Sequence, residues 1–346
     1  MQNIPIDVMK GQTIVYAGRM NSRKTFFAIA QALSIDYSRY GILAFTNNVN
    51  TRDPKDKIKS TGLIEFPAIC IDVKHPEQML EEVAKKRAQG ERVDVGIISE
   101  ANFYDYRLIP VINALTDVKQ PDPLMLIIEG LDRTFRGDIF GPMGRVLEMT
   151  NYPIKLSANC VVEVEGAQCS KPDSENARIL RIAEHGFDPE FDVRVVFYRG
   201  KDRVTDWRFA HYFDQTVRPE PTNKDDADWG YANCCANCFE IPGKNLTDRV
   251  MELLQSERGN ASKEHILSTF DHHLERRYIA AVMEFLVNER RVVFDGGVFE
   301  PTHYVKDPAS EMFIPAYSDA FPKTNPGEAQ QYSFEKNKLI WVPKED

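Results

Sequence analysis

The segment TIVYAGRMNSRKTFFAIA, Thr13 to Ala30, joins an apolar run to a stretch with helical spacing, and its middle decides how the chain is read. Thr13 to Gly18 reads as a buried strand, and Lys24, Phe27, Ile29, Ala30 and Leu33 then mark a helix. Between them GRMNSRKT, Gly18 to Thr25, occupies the strand-to-helix turn where a phosphate-binding loop of pattern G-x-x-x-x-G-K-[ST] belongs. In such a loop backbone N–H groups and a helix N-terminus surround the phosphates, the lysine neutralises their oxygens, and the hydroxyl holds Mg²⁺. Gly18, Ser22, Lys24 and Thr25 stand in order, but Arg23 takes the place of the second glycine. A side chain there either crowds the approach of a phosphate or projects away from it.

Outward from this loop, GILAFT (Gly41–Thr46), VDVGIIS (Val93–Ser99) and PLMLIIEG (Pro123–Gly130) are further short apolar runs separated by helical stretches. The alternation predicts an α/β fold with a mostly parallel sheet, of the P-loop NTPase type, over residues 1–159. The 346 residues suffice for that core and at least one further domain. A net charge of -9 argues against a binder that relies on phosphate electrostatics. No apolar run reaches membrane-spanning length and the amino terminus lacks a signal-peptide pattern, so a cytoplasmic protein without membrane contact is expected. Six cysteines, three of them in CCANC, suggest a metal site rather than a disulfide framework.

Residues 160–240 carry most of those cysteines and a hairpin pattern, VRVVFYRGKDRVTDWRF (Val193–Phe209). After a short Pro-Gly linker, residues 246–301 read as three short helices followed by a hairpin across Asp-Gly, RVVFDGGVFE (Arg291–Glu300), which is a winged-helix-like pattern. Residues 302–346 mix proline, polar residues and scattered aromatics without period, and read as an extended tail.

Five segments in one order, GRMNSRKT, NVNTRD (Asn48–Asp53), IISEANF (Ile97–Phe103), EGLDRTFRGDIFG (Glu129–Gly141) and YANCCANCF (Tyr231–Phe239), resemble thymidine kinases of the zinc-containing, usually homotetrameric type. The resemblance spans about Gly11 to Phe239, with GLDRTFRGDIFG its most specific piece. It implies that Gly18 to Thr25 binds phosphate and that Met20, Phe103, Leu131, Phe135 and Phe140 line a nucleoside pocket. It also implies that Glu100 is the general base for the sugar 5′-hydroxyl. Ser99 replaces the aspartate that helps bind Mg²⁺, and the Asp-x-Arg motif becomes Asn50, Thr51 and Arg52, keeping Arg52 for phosphate but losing the carboxylate. Phosphoryl transfer depends on positioning and charge neutralisation, so these losses predict weak or no kinase activity. Arg23 either supplies part of the missing positive charge or is solvated at a disused loop.

In the resembling family two C-x-x-C knuckles hold a structural zinc. Here Cys235 and Cys238 keep the second knuckle, while the first reads Cys160-Val-Val-Glu163. The resemblance therefore implies a zinc site of Cys160, Glu163, Cys235 and Cys238, with Cys169 or Cys234 as alternative fourth ligands, since zinc accepts carboxylate oxygen as well as sulfur. About seventy residues separate Glu163 from Cys235, where the family has a short loop over the base, so either a hairpin module is inserted or the clamp is lost.

The carboxy-terminal pattern invites a DNA reading, because winged helices place their third helix in the major groove. From Asp248 to Glu300 there are 7 Lys/Arg against 10 Asp/Glu, a local balance of -3 that favours a protein partner. The expectation is a nucleotide-binding or scaffold protein that binds a nucleoside or nucleotide, with zinc, and with ATP and Mg²⁺ if active. It would form a homo-oligomer or join a larger complex concerned with DNA or transcription. The rivals are a working thymidine kinase and a DNA-binding regulator.

Overall fold

The computed structural model describes residues 9–35, 39–49, 54–60, 64–172, 175–182, 187–189, 191–214, 229–256, 261–270, 273–295, 297–301, 304–306, 313–315, 324–325, 328–333 and 335–343. β1 (Thr13–Gly18) leads into α1 (Lys24–Leu33) and then β2 (Ile42–Asn47). A short antiparallel pair, β3 (Lys57–Lys59) and β4 (Glu65–Pro67), precedes β5 (Ile69–Ile71). Next come α2 (Gln78–Ala88), β6 (Val95–Ile98), α3 (Leu108–Thr116), β7 (Met125–Gly130), α4 (Met143–Met149) and β8 (Tyr152–Leu156). Six of these strands form one sheet in the order β5-β2-β6-β7-β1-β8, with every pairing parallel.

The near-continuous apolar strands follow from burial on both faces. Val15 and Ala17 of β1 point into one core with Leu126, Ile128 and Ile98, and residues of α2, α3 and α4 cover that face. Ile14 and Tyr16, the alternate positions, join Ile97, Met125 and Ile127 in a second core against α1. The sheet is therefore the middle of three layers, and the carboxyl ends of β1, β6 and β7 lie side by side. In open sheets of this kind that edge is where ligands bind.

The sequence beyond β8 adds further strands to the same unit. A two-stranded hairpin, β9 (Glu163–Val164) and β10 (Ala167–Gln168), is followed by β11 (Glu175–Arg181), β12 (Arg194–Arg199), β13 (Asp202–Phe209) and β14 (Trp229–Cys234). The last four form an antiparallel sheet in the order β12-β13-β11-β14. The hairpin expected within Val193–Phe209 is β12 and β13, turning at Gly200 with φ 67°.

A second compact unit comprises the chain from residue 241 onward together with the described residues of 184–193 and 210–215. Residues 160–240 are thus shared between two units, because Tyr212 is buried among carboxy-terminal side chains and His211 bonds Asp192 at 2.5 Å within that unit. Its helices are α5 (Lys244–Ser256), α6 (Lys263–Thr269) and α7 (His273–Asn288). Ser262 caps α6 by accepting the His265 N–H at 3.2 Å. β15 (Ala261–Ser262), β16 (Val292–Asp295) and β17 (Val298–Pro301) form a three-stranded antiparallel sheet, so the expected hairpin across residues 296 and 297 is present.

The segment read as an extended tail is different. Two short strands, β18 (Tyr304–Lys306) and β19 (Phe313–Pro315), pair with each other. β20 (Thr324–Asn325), β21 (Glu328–Ser333) and β22 (Lys338–Pro343) form an antiparallel sheet. Tyr332 of β21 is 2% exposed, with its ring 4.6 Å from Phe294 and 5.4 Å from Phe299. Tyr332 falls outside any helical period because it sits on a strand that adds to this core.

Candidate functional site

β1 ends at Gly18, where a Cβ would lie 2.0 Å from the carbonyl oxygen of Leu156 on β8, so no other residue fits. The loop then turns through two left-handed residues, Asn21 (φ 59°) and Arg23 (φ 65°), before α1 begins at Lys24. Arg23 thus holds the backbone conformation that glycine adopts freely, at a cost of roughly 1–2 kcal/mol. Its side chain is exposed rather than packed into the loop.

Lys24 is buried, and its Nζ donates to the Arg19 carbonyl oxygen at 2.9 Å, folding the ammonium across the loop. Ser22 is also buried, and among the described residues its Oγ has no hydrogen-bond partner. Buried Arg19 pairs with buried Asp132 at 2.8 Å, and Lys155 approaches the other oxygen of Asp132 at 3.5 Å. Such a pair contributes little net stability. Its consequence is positional, tying the loop to the segment after β7.

Beside the loop stand the ends of β6 and β7. Ser99 is buried and Glu100, half-buried, has φ 49°, a strained conformation for a residue with a side chain. A carboxylate not singled out from sequence lies between them. Glu129, the penultimate residue of β7, is wholly buried, accepting from Ser99 Oγ at 2.6 Å and from the Glu100 N–H at 3.0 Å through Oε1. Its Oε2 has no hydrogen-bond partner among the described residues. Burial first, and then the charge of Glu100, lift its carboxyl to about 7, opposed by Lys24 and by the two hydrogen bonds. The sequence signal was a lone acid closing the fully buried strand MLIIEG.

The pocket positions converge in part. Phe103 and Phe140 meet edge to face with ring centroids 5.5 Å apart. Asn102 Oδ1 accepts the Leu131 N–H at 2.9 Å, and a Cβ on Gly141 would lie 2.3 Å from the Asn102 carbonyl oxygen, so the Leu131 to Gly141 segment is held against the turn that follows β6. Phe135 is buried, with the Arg136 and Arg178 guanidinium groups 5.3 and 5.7 Å from its ring centroid. Met20 is half-buried in the phosphate loop. Arg52, with Asn50 and Thr51, lies outside the described residues.

The cysteines form a separate cluster. The Sγ atoms of Cys160, Cys169, Cys235 and Cys238 all lie within 4.8 Å of one another, and Cys169 is 3.7 Å from Cys235. A tetrahedron with metal–sulfur bonds of about 2.3 Å has sulfur–sulfur edges of about 3.8 Å, so the spacing suits one ion. Burial would raise the Cys235 thiol, but hydrogen bonds from Cys238 and the Asn237 backbone bring it down to about 7.

Glu163, expected as the fourth ligand, is instead paired with Arg203 through both oxygens, at 2.5 and 2.7 Å, and accepts from the Tyr198 hydroxyl at 3.2 Å. Cys169 takes the fourth place because β9 and β10 reverse the chain at Glu165 and Gly166 (φ 51° and 82°) and bring it back beside Cys160. Cys234, the other alternative, is buried and directs its thiol to the Ala232 carbonyl oxygen at 3.7 Å.

Comparison with known proteins bears on the part of the chain that carries the parallel sheet. Residues 11–186 match the family model "Thymidine kinase", just over half of the chain. A thymidine kinase of Ureaplasma urealyticum serovar 10 is 29% identical over 143 residues, covering 41% of this chain and 60% of that protein. One of Mycoplasma capricolum subsp. capricolum is 27% identical over 143 residues, covering 41% and 65%. One of Haloquadratum walsbyi reaches 33% over 88 residues, covering 25% and 35%. The matched part of this chain thus spans less than two thirds of each relative's length. With the family model covering the sheet, the phosphate-type loop and the segment after β7 in one continuous match, the chain belongs to the thymidine kinase family.

Proposed function

We propose that the core binds a nucleoside triphosphate on the Gly18–Thr25 loop and a nucleoside beside Glu100, and transfers the γ-phosphoryl group to the nucleoside 5′-hydroxyl more slowly than relatives with an aspartate at position 99. The observation that carries this reading is the loop itself. Its left-handed turn at Arg23 is kept without glycine, and Lys24 remains at the mouth with its ammonium on a loop carbonyl that a phosphate oxygen can replace. The exposed Arg23 is available to an outer phosphate oxygen, as in related phosphoryl transfers that use an arginine. Glu100 acts as general base, and Met20, Leu131, Phe135, Phe140 and Phe103 enclose the base of the nucleoside. Thymidine is the substrate favoured by the family; a magnesium ion held with the nucleotide supplies charge neutralisation.

Zinc in the four-cysteine cluster supports the fold rather than the chemistry, since all four positions are taken by protein sulfur and none is left for substrate. The helix and hairpin order of the carboxy-terminal unit supports a winged-helix-like reading, and the local charge of -3 from Asp248 to Glu300 supports a protein partner or a second copy over DNA. The reading as a cytoplasmic oligomer rests on the family and on the absence, among the described residues, of a helix long and apolar enough to cross a membrane. The test is ATP-dependent phosphorylation of thymidine by the purified chain. Slow turnover abolished by Glu100→Ala and raised by Ser99→Asp is expected. Turnover indistinguishable from the Glu100→Ala control would leave only the nucleotide-binding part of the reading.

A further inference from the structure

We propose that Glu129 is the carboxylate that holds the nucleotide's divalent cation, in place of the aspartate missing at Ser99. The inference rests on the nucleotide-binding reading and assigns a residue that its motifs do not contain. A wholly buried carboxylate is costly unless its oxygens are satisfied. Glu129 satisfies only one of them. Oε1 takes the Ser99 hydroxyl and the Glu100 N–H, while Oε2 is buried with no hydrogen-bond partner among the described residues.

The topology accounts for the exchange. β6 pairs with β7 in register, Ile98 opposite Ile128, so Ser99 and Glu129 are the next residues on neighbouring strands. Strands lie about 4.8 Å apart, and glutamate is one methylene longer than aspartate, so a carboxylate moved from one strand to the next still reaches the same edge. β7 also pairs with β1, Tyr16 opposite Glu129 and Ala17 opposite Gly130, which puts the carboxylate one strand from the start of the phosphate loop. Lys24 of that loop is a charged neighbour of Glu129. The Ser99 hydroxyl has a new role, donating to the transplanted carboxylate and fixing its rotamer.

The test uses the full chain, with ADP binding measured first in EDTA by calorimetry, and Mn²⁺ then titrated into the ADP complex and followed by electron paramagnetic resonance. Glu129→Gln is expected to bind ADP in EDTA as the wild type does and to lose roughly tenfold or more in Mn²⁺ affinity. The relocated pair Ser99→Asp with Glu129→Ala is expected to recover it. Glu129→Asp, which keeps a carboxylate, is the second variant if the amide variant fails to fold, and should retain tighter Mn²⁺ binding than Glu129→Ala. Unchanged Mn²⁺ affinity in Glu129→Gln overturns the inference and leaves nucleotide binding standing. A wild-type chain that binds no ADP in either condition removes the nucleotide reading, and the inference with it.

Discussion

A single substituted position, Arg23, governs how the phosphate loop is read, and its backbone rather than its side chain supplies the answer. A left-handed φ of 65° at a residue with a side chain persists only where the surroundings over-determine it. Glu129 carries a second residue-scale consequence, in stability. Its carboxyl titrates near 7 in the folded chain against an ordinary 4.5, so between these values the folded state holds a proton that the unfolded state has released. Stability contributed by this group is therefore complete below about pH 4.5 and is lost as pH rises toward 7, on the order of 3 kcal/mol in all. Glu100 and Lys24 are the charged groups beside it, raising and lowering the carboxyl respectively. Urea denaturation of the metal-free, nucleotide-free chain between pH 5 and 8 should show this decline in wild type. Glu129→Gln should flatten it and be the more stable protein at pH 8. A wild-type profile that is flat across the same window would show that Glu129 is ionised when buried.

Among the elements, the β9–β10 hairpin does most to alter the sequence-based picture. Reading the first knuckle as C-x-x-C with glutamate substituted put Glu163 in the ligand set, with Cys169 or Cys234 as alternatives. The structure gathers Cys160 and Cys169 with Cys235 and Cys238, with the reversal between the first two bonded through the Cys169 N–H to the Val162 carbonyl at 2.9 Å. Metal analysis of the purified chain should find about one zinc, retained in Glu163→Gln and released in Cys169→Ser as in Cys235→Ser. Because a structural site contributes folding free energy directly, the two serine variants should also unfold at lower temperature. Retention of zinc in Cys169→Ser and loss in Glu163→Gln would restore the carboxylate ligand. Glu163 serves the fold in another way, since its pairing with Arg203 fixes β9 beside the β12–β13 hairpin.

Across the whole molecule, the division into units follows cores rather than segments of sequence. The carboxy-terminal unit takes its aromatic centre from three distant places. Tyr212 comes from before α5, Phe299 from β17 and Tyr332 from β21. Tyr332 also donates its hydroxyl to Asn337 at 2.7 Å, and its N–H donates to Asn288 of α7 at 2.9 Å. Tyr332→Ala should destabilise that unit by about 3–5 kcal/mol, and Tyr332→Phe, which loses only the hydroxyl bond, by about 1 kcal/mol. Amide hydrogen exchange resolved along the chain checks this: protection in α5 and α7 should fall while the parallel sheet is unaffected. Unchanged protection would mean that β20–β22 is an appendage and that the three helices close their own core.

Whatever depends on local pattern could be read directly from the chain. The apolar runs of β1, β2, β6 and β7 announced a sheet buried on both faces, Gly18 to Thr25 lay at its strand-to-helix turn, and the Asp-Gly signal marked the β16–β17 hairpin. Such features are legible because periodicity and turn chemistry act over a few residues. Whatever depends on neighbours far apart in the chain was settled by packing and strand pairing. These chose Cys169 over Glu163 through a hairpin, drew residues 328–343 into a core through Tyr332, and put Glu129 against Ser99 although the two are distant in sequence. A buried carboxylate at the end of an apolar strand has no local pattern to identify its role. Only the sheet, which sets β7 between β6 and β1, brings it to the edge where the loop, Glu100 and Lys24 meet.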